Sequence, residues 1–183
     1  MFGEVIGKAY TAIVSFSVLL LSNYTGNDAQ FVDMHNVLND YGINFVCYLA
    51  GAFENDFEEI FSSGIVTTIT FAVNVKHKKD TLFENAFTHS VVWNTEMQQW
   101  IVYFEENDIT RTTDNFSELK GMLSNVDTML FIDTSRYDNV DIQITARLPE
   151  VEMPSIQRSV DLMLLWKKKT PIGRLSVNLR EDI

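Results

Sequence analysis

The chain has 183 residues, 46% of them hydrophobic, enough for one domain with its own core and too apolar for a disordered segment. It carries 25 acidic and 14 basic residues, a net charge of −11, which opposes broad binding to the phosphates of nucleic acid. A single cysteine, Cys47, excludes an internal disulfide and a CxxC or multi-cysteine zinc site.

The first apolar run is Ala12–Leu21, AIVSFSVLLL. It is short for a bilayer span, which takes roughly 20 apolar residues in a helix. Its length suits the apolar centre of a secretory signal, with Lys8 as a weak positive start opposed by Glu4. A polar stretch, Ser22–Gln30, follows, with Gly26 or Ala29 as places for cleavage. The alternative is a helix of the folded domain that buries Ile6, Ile13, Val14 and Leu21. Residues 1–29 are thus expected to be a signal-like or anchoring segment, or else a core helix. A single β-rich domain is expected over 30–183.

From residue 31 onward, alternation of period 2 predicts strands. Phe31–Leu38 is a weak one. Ile43, Phe45, Cys47 and Leu49 give a clearer one, ending at Gly51. A helix is then predicted from Phe53, Phe57, Ile60 and Phe61, with acidic residues on its other face and Gly64 as its stop. Ile65–Lys76 is the strongest strand, rich in β-branched residues. Phe87–Trp93 and Trp100–Phe104 predict a hairpin joined by Asn94–Gln99. Asn115 and Glu118 have the spacing of a capping box before Phe116, Leu119 and Leu123, and so predict a second helix. Strands follow over Asp127–Asp133 and Val140–Leu148, separated by the polar turn Thr134–Asn139. Ser155–Trp166 reads as a third helix entered after Pro154, though Leu162, Leu165 and Trp166 broaden its apolar face and leave it partly ambiguous with a strand, and Arg174–Leu179 reads as a last weak strand. The expected fold class is α+β, mainly antiparallel β, a sandwich-like sheet arrangement with two or three short helices.

Chemistry-bearing residues are sparse. Cys47 lies in an apolar run and reads as a buried packing residue. His35, His77 and His89 form no HExxH or HxH arrangement; His89 shares a strand face with Phe87, Val91 and Trp93 and reads as a satisfied, half-buried histidine. Glu58/Glu59, Glu105/Glu106 and Asp133/Asp138/Asp141 read as solvated acids. The Asp133–Asp141 loop could offer oxygens to calcium, but it lacks EF-hand spacing and its glycine. No phosphate loop, nucleotide fingerprint or G-x-S-x-G is present. No catalytic, cofactor-binding or metal-binding residue is therefore assigned. Trp93, Trp100 and Tyr103 flank one hairpin and are candidates for an exposed aromatic patch that grips a partner. Trp166 with Lys167, Lys168 and Lys169 has the composition of a membrane-surface anchor.

The stretch LAGAFENDFEEIFSSGI at Leu49–Ile65, the strand TITFAVNV, HSVVWNTEMQQWIVYF at His89–Phe104, the helix Phe116–Leu123 and ITARL at Ile144–Leu148 follow one another in an order that resembles an uncharacterised bacterial family of exported proteins, domain of unknown function 4390. The resemblance spans roughly residues 31–180. It implies a β-rich fold and an exported, periplasmic or envelope location, and no established activity. The expectation is a non-enzymatic interaction or accessory module with a protein partner in the cell envelope and peripheral membrane contact through the tryptophan-lysine run. A carrier of small hydrophobic ligands or lipids, built on the many phenylalanines, is the alternative; a hydrolase ranks below it. Cytoplasmic residence is the alternative location.

Overall fold

The computed structural model describes residues 26–55, 57–153 and 158–180. Most of the segment expected to be signal-like, residues 1–25, lies outside the described residues. Gly26–Ala29 do not: Asn27 is buried, its N–H donates to the Leu165 carbonyl at 2.7 Å, and its side chain donates to Ala52 and Glu54 carbonyls.

The chain opens with a hairpin, β1 (Gln30–Asn39) and β2 (Gly42–Ala50). Ile43, Phe45, Cys47 and Leu49 all point inward, as their alternation requires. Gly42 makes the turn with φ at +144°, and a Cβ there would sit 2.1 Å from the Leu130 carbonyl oxygen, so only glycine lets the strands close. Helix α1 (Phe57–Ser62) is shorter than expected. Phe53 precedes it and instead packs its ring edge-on to Phe57 and tilted against Phe61, with centroids 5.3 and 5.6 Å away. Gly64 follows in the left-handed region, where the chain turns into β3 (Thr67–His77).

β3 hairpins into β4 (Asp80–Asn94), which runs on into β5 (Gln99–Phe104) through the expected polar loop. A 3-10 turn at Glu105–Asn107 leads to the short β6 (Ile109–Thr113), and helix α2 (Phe116–Ser124) follows. Asn115 caps α2 by accepting from the Glu118 N–H at 3.1 Å. The reciprocal half of the expected capping box is relayed. The Glu118 carboxylate accepts from the Thr113 hydroxyl, and the Thr113 hydroxyl oxygen accepts from the Asn115 N–H.

The strand expected at Asp127–Asp133 is displaced: β7 (Asn125–Leu130) begins directly at the end of α2, and Asp133 instead caps a 3-10 turn at Thr134–Arg136. β8 (Asn139–Arg147) follows as predicted. The third helix is corrected. β9 (Glu150–Met153) pairs with β10 (Arg158–Asp161), and among the described residues of this segment only Leu162–Trp166 is helical, in a 3-10 turn capped by Asp161. The physical reason is that Val160 pairs across the ladder with Val151, and that ladder outweighs the weak helical spacing of Ile156, Val160 and Met163. β11 (Ile172–Asn178) ends the described fold.

The architecture is mostly antiparallel β with a few short helices and sheets packed on each other, an α+β sandwich-like fold. The larger sheet has the order β11-β8-β3-β4-β5-β6 and the smaller β1-β2-β7, with β9-β10 as a separate ribbon. Inner faces meet in one core, where Phe31 of β1 lies edge-on to Phe71 of β3. The two sheets come together where β1 passes β11, so closely that a Cβ on Gly173 would be 2.9 Å from that of Phe31. On the opposite side β6 and β7 do not pair, and α2 fills the gap between them.

Candidate functional site

The structure separates the residues expected to form a partner surface. Trp166 is 1% exposed, with its indole N–H donating to the Ala52 carbonyl at 2.9 Å and its ring against Phe53. Lys167, Lys168 and Lys169 point out to solvent from the other side of the same turn. The Lys167 N–H bonds the Leu164 carbonyl and the Lys168 N–H that of Met163, with both lysines at positive φ. That pattern is a Schellman cap, so the lysines terminate a turn whose tryptophan anchors the core. Trp100 is also buried, edge-on to the half-buried Trp93 at 4.7 Å and beside Phe116. These two tryptophans are packing residues under α2 and do not form an open aromatic patch. Tyr103 faces outward and donates to Asp108 at 3.2 Å; that bond and the surrounding acids hold its hydroxyl pKa above the ordinary value.

Two other places bring polar groups together. The first is the outer face of the larger sheet. Strand register aligns Ile172, Thr145, Ala72 and Ala86 in one row, and Arg174, Gln143, Asn74 and Glu84 in the next. Small side chains in the first row make a trough, and charges of both signs, including Lys76 and Asp141, form its sides. The resulting groove has a volume of about 780 Å³. Asn74 keeps its side-chain oxygen buried there without a hydrogen-bond donor among the described residues.

The second place is the cleft between β6, α2 and β7, of about 470 Å³. His89 of β4 lies behind Glu106, which lines the cleft. The imidazole is fully buried within a ring of Phe71, Phe87 and Phe104. Its Nδ1 lies 3.1 Å from the Leu123 carbonyl oxygen, which can only accept, so Nδ1 carries a proton. Its Nε2 lies 2.9 Å from Glu106 Oε1, so one further proton is shared between these two groups. Glu106 comes from the 3-10 turn Glu105–Asn107, with its side chain only 4% exposed. Its Oε2 is buried and has no partner among the described residues. Asn107 donates across the cleft to the Asp127 carbonyl on β7.

Comparison with protein-family models, with curated proteins and with solved structures finds no match to this chain. What the chain can do is therefore argued from its geometry. Both nitrogens of His89 are committed, leaving none to act as a base toward a substrate. Cys47 is 1% exposed, and burial pushes its thiol up to about 12, far from the thiolate a nucleophile needs. In the loop considered for calcium, Asp133 holds Ser135 and Arg136, Asp138 holds Arg180, and Asp141 holds Ser176. These bonds hold the Asp133 carboxyl below its ordinary pKa, the Ser135 hydroxyl being the main cause. Among the described residues no three histidine, cysteine or acidic side chains converge as metal ligands.

Alternation in the sequence names the outward residues of each strand but not which rows they share, since rows depend on strand order. The cleft was hidden for a related reason. Its groups come from Glu106, Arg111, Glu118 and Asp127, on four elements that only the tertiary fold brings together. One signal was present: a tight β4–β5 hairpin pairs His89 with Phe104, which puts Glu105 and Glu106 beside the histidine.

Proposed function

We propose that this protein is an exported, non-enzymatic binding module that engages a protein partner in the cell envelope through the outer face of its larger sheet. The observation that carries this reading is the groove over β11, β8, β3 and β4, with its small-residue floor and mixed-charge sides. A floor of Ala72, Ala86 and Thr145 admits a backbone closely, and alternating charges suit an extended polar segment. The aromatic residues support this reading over a lipid carrier, because their rings pack on one another in the core. Export rests on the apolar run Ala12–Leu21 and on the family resemblance. The burial of Asn27 adds a constraint: cleavage after Ala29 would remove its bonds to Ala52 and Glu54, so processing is expected no later than Gly26.

The test places a photo-crosslinking amino acid at Thr145 on the floor, and in a second protein at Glu96 in the β4–β5 loop. Both are expressed in a bacterium and irradiated in cells. A discrete envelope-protein adduct from position 145 alone, lost on Ala86→Arg, is expected, together with periplasmic recovery of a shortened chain. Equal labelling from both positions, or none, overturns the partner surface. An intact Met1 in the cytoplasm overturns export.

A further inference from the structure

We infer that the cleft between β6, α2 and β7 is a binding site for an alkylammonium group, with Oε2 of Glu106 as its buried acceptor. Three acids line this cleft, Glu106, Glu118 and Asp127, against one base, Arg111; the charge of Glu106 is already balanced within its pair with His89, so Glu118 and Asp127 carry the excess over Arg111. The imbalance attracts a cation. The second observation is independent of that count. Glu106 is almost wholly buried, yet its Oε2 accepts from nothing among the described residues, and an unpaired buried oxygen of this kind is costly to keep. A donor entering the cleft would remove that cost.

The chemistry of the donor follows from what is already taken. Oε1 of Glu106 is held by His89, so the carboxylate cannot offer both oxygens to the planar fork of a guanidinium. An ammonium is a compact charge that a single oxygen can satisfy, leaving its other protons for Glu118 or water. Glu118 has one oxygen engaged by the Thr113 hydroxyl. The flanks of the cleft include Ile109 and Met122, which suits a short alkyl stem behind the charged head. A free amine and a lysine side chain share this chemistry. Arg111 lies over the Phe104 ring at 5.9 Å and makes no ion pair among the described residues. It therefore repels an incoming cation without being needed to hold the cleft together.

The test is an NMR titration of the intact protein with n-butylammonium chloride, read at the ring signals of His89. Saturable movement is expected, with n-butanol binding at least about tenfold more weakly. Glu106→Gln retains a side chain that can bond His89 but removes the charge, and is expected to weaken binding about tenfold or more. Arg111→Ala is expected to strengthen it severalfold, and Glu118→Gln to weaken it. Because these variants differ in sign, misfolding of one cannot imitate the pattern. Tighter binding of a capped lysine amide than of butylammonium assigns the site to a polypeptide side chain, and weaker binding assigns it to a free amine. Both support the site. No saturable shift, equal binding of butanol, or an unchanged affinity in Arg111→Ala overturns it.

Discussion

Cys47 shows how burial, without any charged partner, decides the chemistry of a residue. It sits on the inner face of β2 opposite Val126 of β7, where desolvation alone raises its thiol from 9.0 to about 12. The folded protein thus keeps a proton that the unfolded chain gives up. Below about pH 9 both states hold it, and the thiol adds no pH dependence. From there to about pH 12 the unfolded state binds fewer protons, so folding free energy must fall as pH rises, by up to about 1.4 kcal/mol per pH unit. Urea melts of the wild type and Cys47→Ala should therefore differ by a constant amount below pH 9, with the wild-type advantage shrinking above it. A constant difference across that boundary would contradict the assignment. The inward position of Cys47 was legible from its alternation with Phe45 and Leu49. The pairing of His89 with Glu106, 17 residues apart, had only an indirect signal, the β4–β5 hairpin whose register sets His89 opposite Phe104.

At the level of elements, two glycines with the same sequence-level ambiguity have opposite roles. Gly173 lies where β11 runs under β1, and an added Cβ would meet Met34 Sδ at 2.8 Å and Ile144 Cγ2 at 2.9 Å. Gly121 lies inside α2, where an added Cβ would meet nothing within 4 Å. Gly173→Ala is expected to destabilise by about 1–3 kcal/mol through overpacking. Gly121→Ala is expected to stabilise by about 0.5–1 kcal/mol, because glycine is the poorer helix former. Thermal melts of the two variants should move in opposite directions; a Gly173→Ala melt that does not fall would refute the described approach of β1 to β11. The elements themselves were largely readable where hydrophobic period and local signals agreed, as at β3, β8 and the Asn115 cap. They were misread where they disagreed. Ser155–Trp166 has apolar residues at both strand and helix spacings, and only its partner β9 decides part of it.

For the molecule as a whole, the decisive contact joins three segments that are remote in sequence. Asn27, the Ala52–Phe53 turn and the Leu162–Trp166 turn converge, with Trp166 and the Asn27 side chain both donating to the Ala52 carbonyl, at 2.9 and 3.1 Å. The tryptophan-lysine run had the composition of a surface anchor, and composition carries no information on direction. The Schellman cap turns the lysines outward and sends the indole in, so that the tryptophan closes one end of the sandwich over Phe53. Trp166→Ala should cost about 3–5 kcal/mol, the usual loss for emptying a large aromatic site. Trp166→Phe keeps a ring against Phe53 and leaves Ala52 its bond from Asn27, so its cost should be nearer 1–2 kcal/mol. The location of the loss distinguishes a seam from a generic cavity. The Asn27 amide, bonded to Leu165, should exchange hydrogen faster in Trp166→Ala by a larger factor than the amide of Val73 in the central strand β3. If the two amides accelerate by the same factor, Trp166 acts only through global stability, and these three segments do not form a separately opening unit.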